Sequence, residues 1–421
     1  MKDAESRSRR AFLASAGALS AIGVLPTGGD SANRTSKAPP RPDPRDMLAG
    51  LAPADDYLFS PGLTYLQTGS LGPTPRPVLE RTIAAWKELE RNPVFYGYGA
   101  QELTMEDVRG KAAAFLGGKK EELVLTRCTT EAMNWVAQGI GLTAGDHVLT
   151  TDQEHPGGRA CWDYVARRHD VILDVVGIPA GENDAQAILD RFSRALTRRT
   201  RVLSFSHVLT STGLRMPVAE LSALARSQGA IAVVDGAQAA GGIAVDVKAL
   251  GCHVYATSGH KWLLGPKGTG LLYLSEELGR RIDPIALQAG RAAYSDSSGV
   301  CNMPGVIGLG AAIDYISAIG MAKVESHNLR LRNRLQESMG AVPRLRVVSP
   351  PPGPLASPLL TYELPDGVDS EALYARLLEK HGVVVKIVPK QWLNGNRIST
   401  HLFNSGRDAG KLLDALKVEL A

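Results

Sequence analysis

From about residue 60 onward, short runs of β-branched and other apolar residues alternate with longer segments that suit helices. Such runs are typical of parallel strands that are buried on both faces of a sheet. We predict strands at residues 122–126, 147–151, 171–176, 202–206, 230–235 and 268–274. We predict helices at residues 78–90, 104–116, 130–140 and 218–227. This alternation predicts an α/β fold in which helices cover both faces of a mostly parallel sheet.

A smaller α/β unit is predicted toward the C-terminus. Its elements are a strand at residues 361–364, a helix at 370–381, a strand at 383–388 and an amphipathic helix at 407–420. The Pro-rich run at residues 349–358 is predicted to be a loop within this unit. We therefore predict a large domain over residues 61–320 and a small C-terminal domain over residues 321–421.

The N-terminal sixty residues have a different pattern. Arg7, Arg9 and Arg10 precede an apolar stretch at residues 11–25, which is too short to cross ~30 Å of hydrocarbon as a helix. The stretch around Arg9 and Arg10 resembles a twin-arginine export signal. An arginine pair in front of a buried helix is the alternative. We predict a signal peptide at residues 1–30, a linker or N-terminal arm at 31–60, and a periplasmic or otherwise exported protein.

Composition excludes several classes of protein. The chain has 421 residues, of which 44% are hydrophobic and 21% charged, as in globular proteins. Its net charge of +4 is too small to indicate nucleic-acid binding. The four cysteines are far apart and form no Cys-x-x-Cys pair, so a zinc ribbon or other metal site is not predicted. No segment after the N-terminal one is long and apolar enough to predict an integral membrane protein.

The strongest chemical signal is the segment Thr-Ser-Gly-His-Lys-Trp at residues 257–262, followed by Gly-Pro-Lys-Gly-Thr-Gly at 265–270. A predicted strand that ends in Val-Asp-Gly-Ala-Gln at residues 234–238 precedes it. In this order the segments resemble the class V aminotransferase family, which comprises fold-type I enzymes that depend on pyridoxal 5′-phosphate. The resemblance covers about residues 60–421. The motifs at residues 65–75, 92–96 and 154–158 are most similar to the isopenicillin N epimerase-like branch of the family.

The resemblance implies roles for residues that contact the ring of the cofactor. Lys261 would attach the cofactor covalently and act as the acid/base, since a lysine in a cleft has a lowered pKa. Asp235 would keep the ring nitrogen protonated, which lets the cofactor withdraw electrons. Gln238 would donate to the phenolic oxygen, and His155 would stack on the ring and move protons. The residues alone leave a surface lysine, a helix-capping aspartate and a structural histidine as alternatives.

The resemblance also implies phosphate and substrate contacts. Thr129 and Thr130 would bind the phosphate at a helix N-terminus, with Ser258 and His260 as further donors. By itself, Thr-Thr-Glu is only a capping signal. Arg397, in the segment Arg-Ile-Ser-Thr-His-Leu-Phe-Asn, would hold the α-carboxylate of the substrate. A surface arginine on an edge strand is the alternative.

Two departures from the family pattern affect the prediction. Val300 occupies the position at which the family often has a threonine that reaches the phosphate in the partner subunit, and Arg291 is a candidate replacement. No cysteine follows Cys301, whereas the cysteine desulfurases of this family carry a catalytic cysteine in the small domain. A persulfide mechanism is therefore disfavoured.

These observations predict an exported pyridoxal-phosphate enzyme that acts at Cα of an amino acid, or of an amino-acid unit of a peptide metabolite. The resemblance implies epimerisation, or tailoring similar to that by periplasmic enzymes of pyoverdine-type siderophores. The alternatives are a carbon–sulfur lyase or desulfurase-like enzyme, an aminotransferase acting on a free amino acid, and a non-catalytic binding protein on the same scaffold. The expected partners are a small-molecule substrate, the twin-arginine export machinery and a second copy in a homodimer.

Overall fold

A seven-stranded sheet organises the first part of the computed structural model, which describes residues 49–279 and 281–421. Its strands are β2 (Leu123–Thr126), β3 (His147–Thr151), β4 (Ile172–Val176), β5 (Thr200–Ser206), β6 (Ile231–Asp235), β7 (Val254–Ser258) and β8 (Gly270–Leu274). They lie in the order β2-β8-β7-β6-β5-β3-β4. Only β8 runs antiparallel to its two neighbours. The predicted α/β fold with a mostly parallel sheet is therefore confirmed.

Alternate residues of the central strands enter two separate apolar layers. Val202, Ile231 and Val233 pack in one cluster, whereas Leu203 and Val234 pack in the other. Because successive side chains of a strand point to opposite faces, a strand that is covered on both faces needs apolar residues at every position. This explains why the buried strands lack polar alternation.

The helices fall into two groups, those before or within the region of the large sheet and those that follow it in the chain. Those before and within the sheet region are Arg76–Leu89, Pro93–Tyr96, Glu102–Phe115, Thr129–Gly139, Pro156–His169, Ala185–Ala195 and Val218–Ser227. Those that follow are Met303–Ile319, Met321–Met339, Ser370–His381 and Gly406–Glu419. The helices predicted at 78–90, 104–116, 130–140 and 218–227 are each present to within two residues. The helices Pro156–His169, Ala185–Ala195, Met303–Ile319 and Met321–Met339 were not among the predicted elements.

The C-terminal part contains a second, antiparallel sheet. Its strands are β9 (Arg346–Val347), β10 (Leu359–Glu363), β12 (Lys386–Ile387) and β13 (Gly395–Ser399), in the order β12-β13-β10-β9. Leu331, Leu360 and Leu412 belong to the apolar cluster under this sheet. The sheet begins after residue 320, where the small domain was predicted. The described residues form one compact unit, so the division at residue 320 stays a prediction.

Two strand predictions need correction. The run at 171–176 was expected to be buried, but β4 is the edge strand of the large sheet and exposes Ile172 and Val175. The run at 383–388 is not one strand. β11 (Val383–Val384) pairs with β1 (Thr64–Tyr65), and β12 pairs with β13. The chain changes partner at Val385, whose carbonyl accepts from the side chain of Gln67.

No single helix among the described residues combines the length and apolarity needed to cross a membrane. Met303–Ile319 and Met321–Met339, bent by 77°, meet that requirement only when the two are taken together. The predicted signal peptide at 1–30 and most of the predicted arm at 31–60 lie outside the described residues.

Candidate active site

A cleft of about 680 Å³ lies where the carboxyl ends of β6 and β7 face the β12–β13 hairpin. All nine predicted site residues line it: Thr129, Thr130, His155, Asp235, Gln238, Ser258, His260, Lys261 and Arg397. The residues come from chain positions far apart, and parallel strands bring them together because their carboxyl ends meet at one edge of a sheet. The nine residues therefore face one shared ligand space.

Asp235 is the last residue of β6 and lies at the base of the cleft. Its Oδ1 accepts a hydrogen bond from the amide of Ala237 at 2.9 Å. A Cβ on residue 158 would approach Oδ2 of Asp235 to 2.7 Å, so Gly158 leaves room beside the carboxylate. Burial raises the pKa of Asp235, while the bond to Ala237 and the charge of Lys261 act in the opposite direction. A partner cation on the ligand would favour the ionised form.

Lys261 follows β7 by three residues, and its side chain faces the cleft. Desolvation lowers the pKa of Lys261, Asp235 raises it, and Arg397 lowers it again. The lysine is thus not a surface residue. A lowered pKa increases the fraction of neutral amine, which is the nucleophilic form.

The helix Thr129–Gly139 begins at the cleft, so its first amide groups lack partners within the helix. The amide of Thr129 donates to Oγ of Ser258 at 3.0 Å, and the two hydroxyls lie 2.8 Å apart. A Cβ on Gly157 would collide with the hydroxyl of Thr130, which explains the glycine there. This grouping of amides and hydroxyls at a helix N-terminus suits a phosphate group.

Two histidines border the cleft with one ring nitrogen already engaged. Nδ1 of His260 lies 3.1 Å from the carbonyl of Thr269, so Nδ1 carries the proton. Nδ1 of His155 accepts from the amide of Gly157 at 3.0 Å, which places its proton on Nε2. Desolvation, followed by the charges of Lys261 and Arg397, lowers the pKa of His155 to about 4. His155 is therefore neutral at pH 7 and offers an N–H donor.

Two buried hydrogen bonds fix the orientation of the Gln238 side chain. Its Oε1 accepts from the indole N–H of Trp262 at 3.0 Å, and its Nε2 donates to the carbonyl of Gly69 at 2.8 Å. An amide nitrogen carries two hydrogens, and the contact with Gly69 uses one. Gln238 therefore keeps a second donor for a ligand in the cleft.

Arg397 lies on β13, between β12 and β10, and is 2% exposed. The edge-strand alternative is thus wrong. Its Nη1 donates to the carbonyl of Thr210 at 2.8 Å and to the hydroxyl of Thr210 at 2.5 Å. Its Nε has no partner among the described residues. Burial lowers the pKa of Arg397 to about 10, and the guanidinium is still charged at pH 7.

Sequence reasoning missed four residues of this region. Thr210, Lys386 and Trp392 line the cleft, and Nε1 of Trp392 donates to the carbonyl of Asp152 at 3.0 Å. Glu154 is buried below it. A local signal existed only for Glu154, which precedes His155 in the Glu-His-Pro-Gly-Gly motif. The other three become neighbours of the site only in the tertiary structure.

Glu154 accepts three hydrogen bonds. The hydroxyls of Thr151 and Ser206 donate to it at 2.6 Å each, and the amide of Ser206 donates at 3.2 Å. Ser206 stands opposite Asp235 in the pairing of β5 with β6. Burial raises the pKa of Glu154 to about 7, the hydrogen bonds oppose this, and the charge of Asp235 adds to it. Glu154 is therefore a second carboxyl group close to Asp235, although it does not line the cleft itself.

The first departure from the family pattern, Val300 with Arg291 as its candidate replacement, lies outside this cleft. Val300 is 61% exposed and lines a neighbouring groove. Arg291 donates to the carbonyls of Glu121 and Leu274 and does not line the cleft of its own chain. Nothing in the described residues therefore supports Arg291 as a phosphate ligand. Among the same residues, no cluster of three or more His, Cys, Asp or Glu side chains could hold a metal ion.

The donor set fits pyridoxal 5′-phosphate. A desolvated lysine, a buried carboxylate with space beside it and a helix N-terminus rich in hydroxyls meet in one cleft. Lys261 would attach the cofactor, Asp235 would face its ring nitrogen, and Thr129, Thr130, Ser258 and His260 would hold its phosphate. The guanidinium of Arg397, which is bonded only through Nη1, remains for another anion.

Comparison with known proteins agrees with this geometry. Residues 64–387 match the family model of class-V aminotransferases. The isopenicillin N epimerase of Amycolatopsis lactamdurans is 30% identical over 381 residues, covering 85% of this chain and 96% of that protein. The cysteine desulfurase of Salmonella dublin is 33% identical over 310 residues, covering 68% and 75%.

Solved structures show the same fold. The apo cysteine desulfurase of Thermococcus onnurineus superposes with a TM-score of 0.78 at 26% identity, covering 87% of this chain and 96% of that one. A complex of a cystine C–S lyase with cysteine persulfide superposes with a TM-score of 0.78 at 24% identity, covering 85% and 98%. The predicted fold-type I α/β architecture and the predicted cofactor, pyridoxal 5′-phosphate, are thus confirmed. The chain is a pyridoxal-phosphate-dependent enzyme that belongs to the class V aminotransferase family.

Proposed function

We propose that this protein is an exported enzyme that acts at Cα of an amino acid, or of an amino-acid unit of a peptide metabolite, by epimerisation or siderophore-type tailoring. The observation that carries the proposal is the position of Arg397. Its buried guanidinium, with Nε unpaired, lines the same cleft as Lys261 and Asp235. A carboxylate held by this arginine would keep an attached Cα close to the lysine.

Arg397 is oriented before any ligand arrives. Both of its contacts with Thr210 involve Nη1, so Nη2 has no partner among the described residues and is left for a carboxylate. The planar guanidinium holds this donor in a fixed orientation. Because the group is almost completely buried, the paired charges would be only weakly screened by solvent.

Lys261 is the group that would move the proton of Cα. Desolvation favours its neutral amine, which can accept a proton at Nζ and return it. When bound, pyridoxal 5′-phosphate supplies the electron sink that makes the Cα–H bond acidic. Asp235 supports that chemistry by holding a positive charge on the ring nitrogen. His155, which is neutral at pH 7, offers the N–H at Nε2 as a hydrogen-bond donor.

The similarity to isopenicillin N epimerases favours inversion at Cα, and it extends over most of the chain. The similarity to cysteine desulfurases favours a carbon–sulfur lyase as the second candidate. The second candidate lacks support in the chain itself, since no cysteine follows Cys301 and Cys128 is the one cysteine among the described residues that line the cleft. An aminotransferase acting on a free amino acid would use the same donor set.

Export and dimerisation belong to the same proposal. Arg9 and Arg10, in front of the apolar stretch at 11–25, support export by the twin-arginine route. That route moves folded proteins, so a cytosolic cofactor could travel inside the enzyme. The exposed apolar side chains of Trp86, Val94 and Leu103, on three successive helices, support a homodimer, because exposed apolar residues can form interaction surfaces.

The test is incubation of the purified holoenzyme in D₂O with L- and D-amino acids and with exported peptide metabolites. Mass spectrometry and chiral chromatography should reveal deuterium at Cα, an inverted centre or a tailored product. Arg397→Lys should reduce this reaction, whereas Arg346→Lys, which changes an exposed arginine paired with Glu363 in the same sheet, should not. Release of sulfide from cysteine or cystine without Cα exchange would favour the second candidate instead.

A further inference from the structure

Two cations stand side by side at the wall of the cleft. Lys386 on β12 is the direct antiparallel partner of Arg397 on β13, and both side chains line the cleft. Directly opposite residues of antiparallel strands have Cβ atoms ~4.5–5.5 Å apart, and like charges in this arrangement are destabilising. Because this repulsion between Lys386 and Arg397 destabilises the fold, we expect the pair to be retained for binding a ligand.

No carboxylate among the described residues neutralises either cation. Arg397 donates only to Thr210, which is uncharged. Desolvation lowers the pKa of Lys386, and the charge of Arg397 lowers it further, with no acidic group acting in the opposite direction. The pair is therefore electrostatically unbalanced.

Neighbouring basic residues of the same sheet region behave differently. Lys390, four residues after Lys386, lies 2.6 Å from Asp369, and Arg346 is paired with Glu363. Both of these ion pairs face solvent, away from the cleft. The unpaired cations are thus the ones that face the ligand space.

The charges of the cleft lining also show that Lys386 and Arg397 are its unpaired cations. Its lining has four basic side chains, Arg127, Lys261, Lys386 and Arg397, and a single carboxylate, Asp235. Arg127 is neutralised by Glu131 at 2.7 Å. Lys261 and Asp235 would be engaged by the cofactor. Two positive charges, those of Lys386 and Arg397, remain for the substrate.

We propose that Lys386 binds a second carboxylate of the substrate, so that the enzyme selects an acidic amino acid or amino-acid unit, with its α-carboxylate on Arg397 and its side-chain carboxylate on Lys386. This inference rests on the proposed function for the role of Arg397. The ammonium of lysine is a compact point charge on a flexible stem, which can pair with a carboxylate without a bidentate geometry. Val388, Pro389 and Trp392 follow Lys386 and line the cleft, offering apolar contact for the intervening methylene groups.

The test measures binding to the full-length holoenzyme without requiring turnover. Glutarate and its monoamide have nearly the same shape, differ by one carboxylate and lack the amine that reacts with the cofactor. Their dissociation constants follow from tryptophan fluorescence or from the absorbance of the bound cofactor. We expect the parent enzyme to bind glutarate at least about tenfold more tightly than the monoamide.

Variants then assign the preference to Lys386. Lys386→Gln should weaken glutarate binding by about tenfold to hundredfold and monoamide binding by less than about threefold. Lys386→Arg should keep the preference. Lys390→Gln removes one positive charge four residues away and should leave both constants unchanged. Equal binding of the two ligands by the parent enzyme, or equal weakening of both by Lys386→Gln, would overturn the inference.

Failure of the proposed function would be visible separately. L-Glutamate and L-glutamine would then show no exchange of the Cα proton in D₂O, while the parent enzyme would still prefer glutarate to its monoamide. If both exchange at Cα but the glutarate preference is absent, the proposed function stands and the role of Lys386 does not.

Discussion

The indole N–H of Trp262 donates to Oε1 of Gln238 at 3.0 Å, and both side chains are buried. An indole nitrogen can only donate, so this contact determines which end of the Gln238 amide is the oxygen. The nitrogen end then lies against the carbonyl of Gly69 and the cleft. Trp262, the residue after Lys261, thereby orients the side chain that is predicted to donate to the cofactor.

Replacing Trp262 with phenylalanine tests this orientation. The substitution removes the donor and leaves Gln238 free to rotate, at a cost of about 1–3 kcal/mol in the free energy of unfolding. We also expect the pH at which the bound cofactor changes its visible absorbance to shift, because Gln238 would no longer donate reliably. The control is Trp86→Phe, which alters an indole that is 45% exposed on a helix. An unchanged absorbance titration would mean that Gly69 alone holds the amide.

Lys261→Ala should leave the fold intact and abolish covalent attachment of the cofactor. Loss of the proton-transfer group is expected to reduce turnover by ~10³-fold. Borohydride reduction followed by peptide mass spectrometry measures the adduct. Lys267, which donates to Gly72 and Thr74 and is not part of the cleft lining, provides the control Lys267→Ala, which should retain the adduct. An adduct on the same peptide of the Lys261→Ala variant would contradict the assignment.

Asp235→Asn should reduce turnover much more than it weakens cofactor binding. The asparagine oxygen can still accept from Ala237, so the local turn is preserved. An amide does not hold the ring nitrogen protonated, and we expect turnover to fall by ~10²-fold or more with the colour retained. Asp174→Asn, which changes a residue of the edge strand β4 that contacts His147, is the matched control. Similar turnover in the two variants would assign the role to another group.

Glu154 predicts a pH dependence of stability. Its pKa is raised from 4.5 to about 7 in the folded protein, so folding is favoured by its protonated form. This contribution is fully present below about pH 4.5 and is lost as the pH rises through about 7, amounting to as much as ~3 kcal/mol. Denaturant unfolding of the cofactor-free protein at pH 5 and pH 8 should therefore show a smaller loss of stability in Glu154→Gln than in the parent.

Glu337 offers a control for that comparison. It is exposed, so Glu337→Gln removes a carboxylate that is not buried. It should lose as much stability between pH 5 and pH 8 as the parent does. An equal loss in Glu154→Gln would show that the buried carboxyl does not titrate in this range.

Export predicts where the holoenzyme accumulates. With Arg9→Lys and Arg10→Lys combined, full-length, yellow and active enzyme should remain in the cytoplasm while the external fraction disappears. The reason is that pyridoxal phosphate is multiply charged and crosses bilayers poorly, so the protein must bind it before export. Fractionation and cofactor absorbance measure the outcome, and Arg7→Lys in the same basic segment is the control. A double variant distributed like the parent would contradict export by this route.

Local sequence was sufficient for much of the architecture. The strand at 147–151 and the helices at 218–227 and 370–381 were predicted with the observed bounds, because their apolar spacing and flanking residues are local features. The strand β7 was missed, since Val-Tyr-Ala-Thr-Ser is short and only partly apolar. Its place between β6 and β8 is set by pairing with strands that are distant in the chain.

The same division holds for the site. Asp235 and Lys261 were recognisable because each lies in a compact motif beside its own strand, where chemistry and local backbone coincide. The contact of Arg397 with Thr210, which lies 187 positions away, left no trace in either local segment. Nor did the contact of Glu154 with Ser206, 52 positions away.

By itself, then, the sequence determined the α/β class and the cofactor and indicated the residues expected to attach it, because these depend on motifs of a few consecutive residues. Only the tertiary structure decided which side chains face one another across the cleft. Lys386 became the partner of Arg397 through the register of β12 and β13, which depends on the packing of the whole small sheet. Burial then gave Glu154, His155 and Lys261 their shifted pKa values, since desolvation is a property of the assembled fold and not of any one segment.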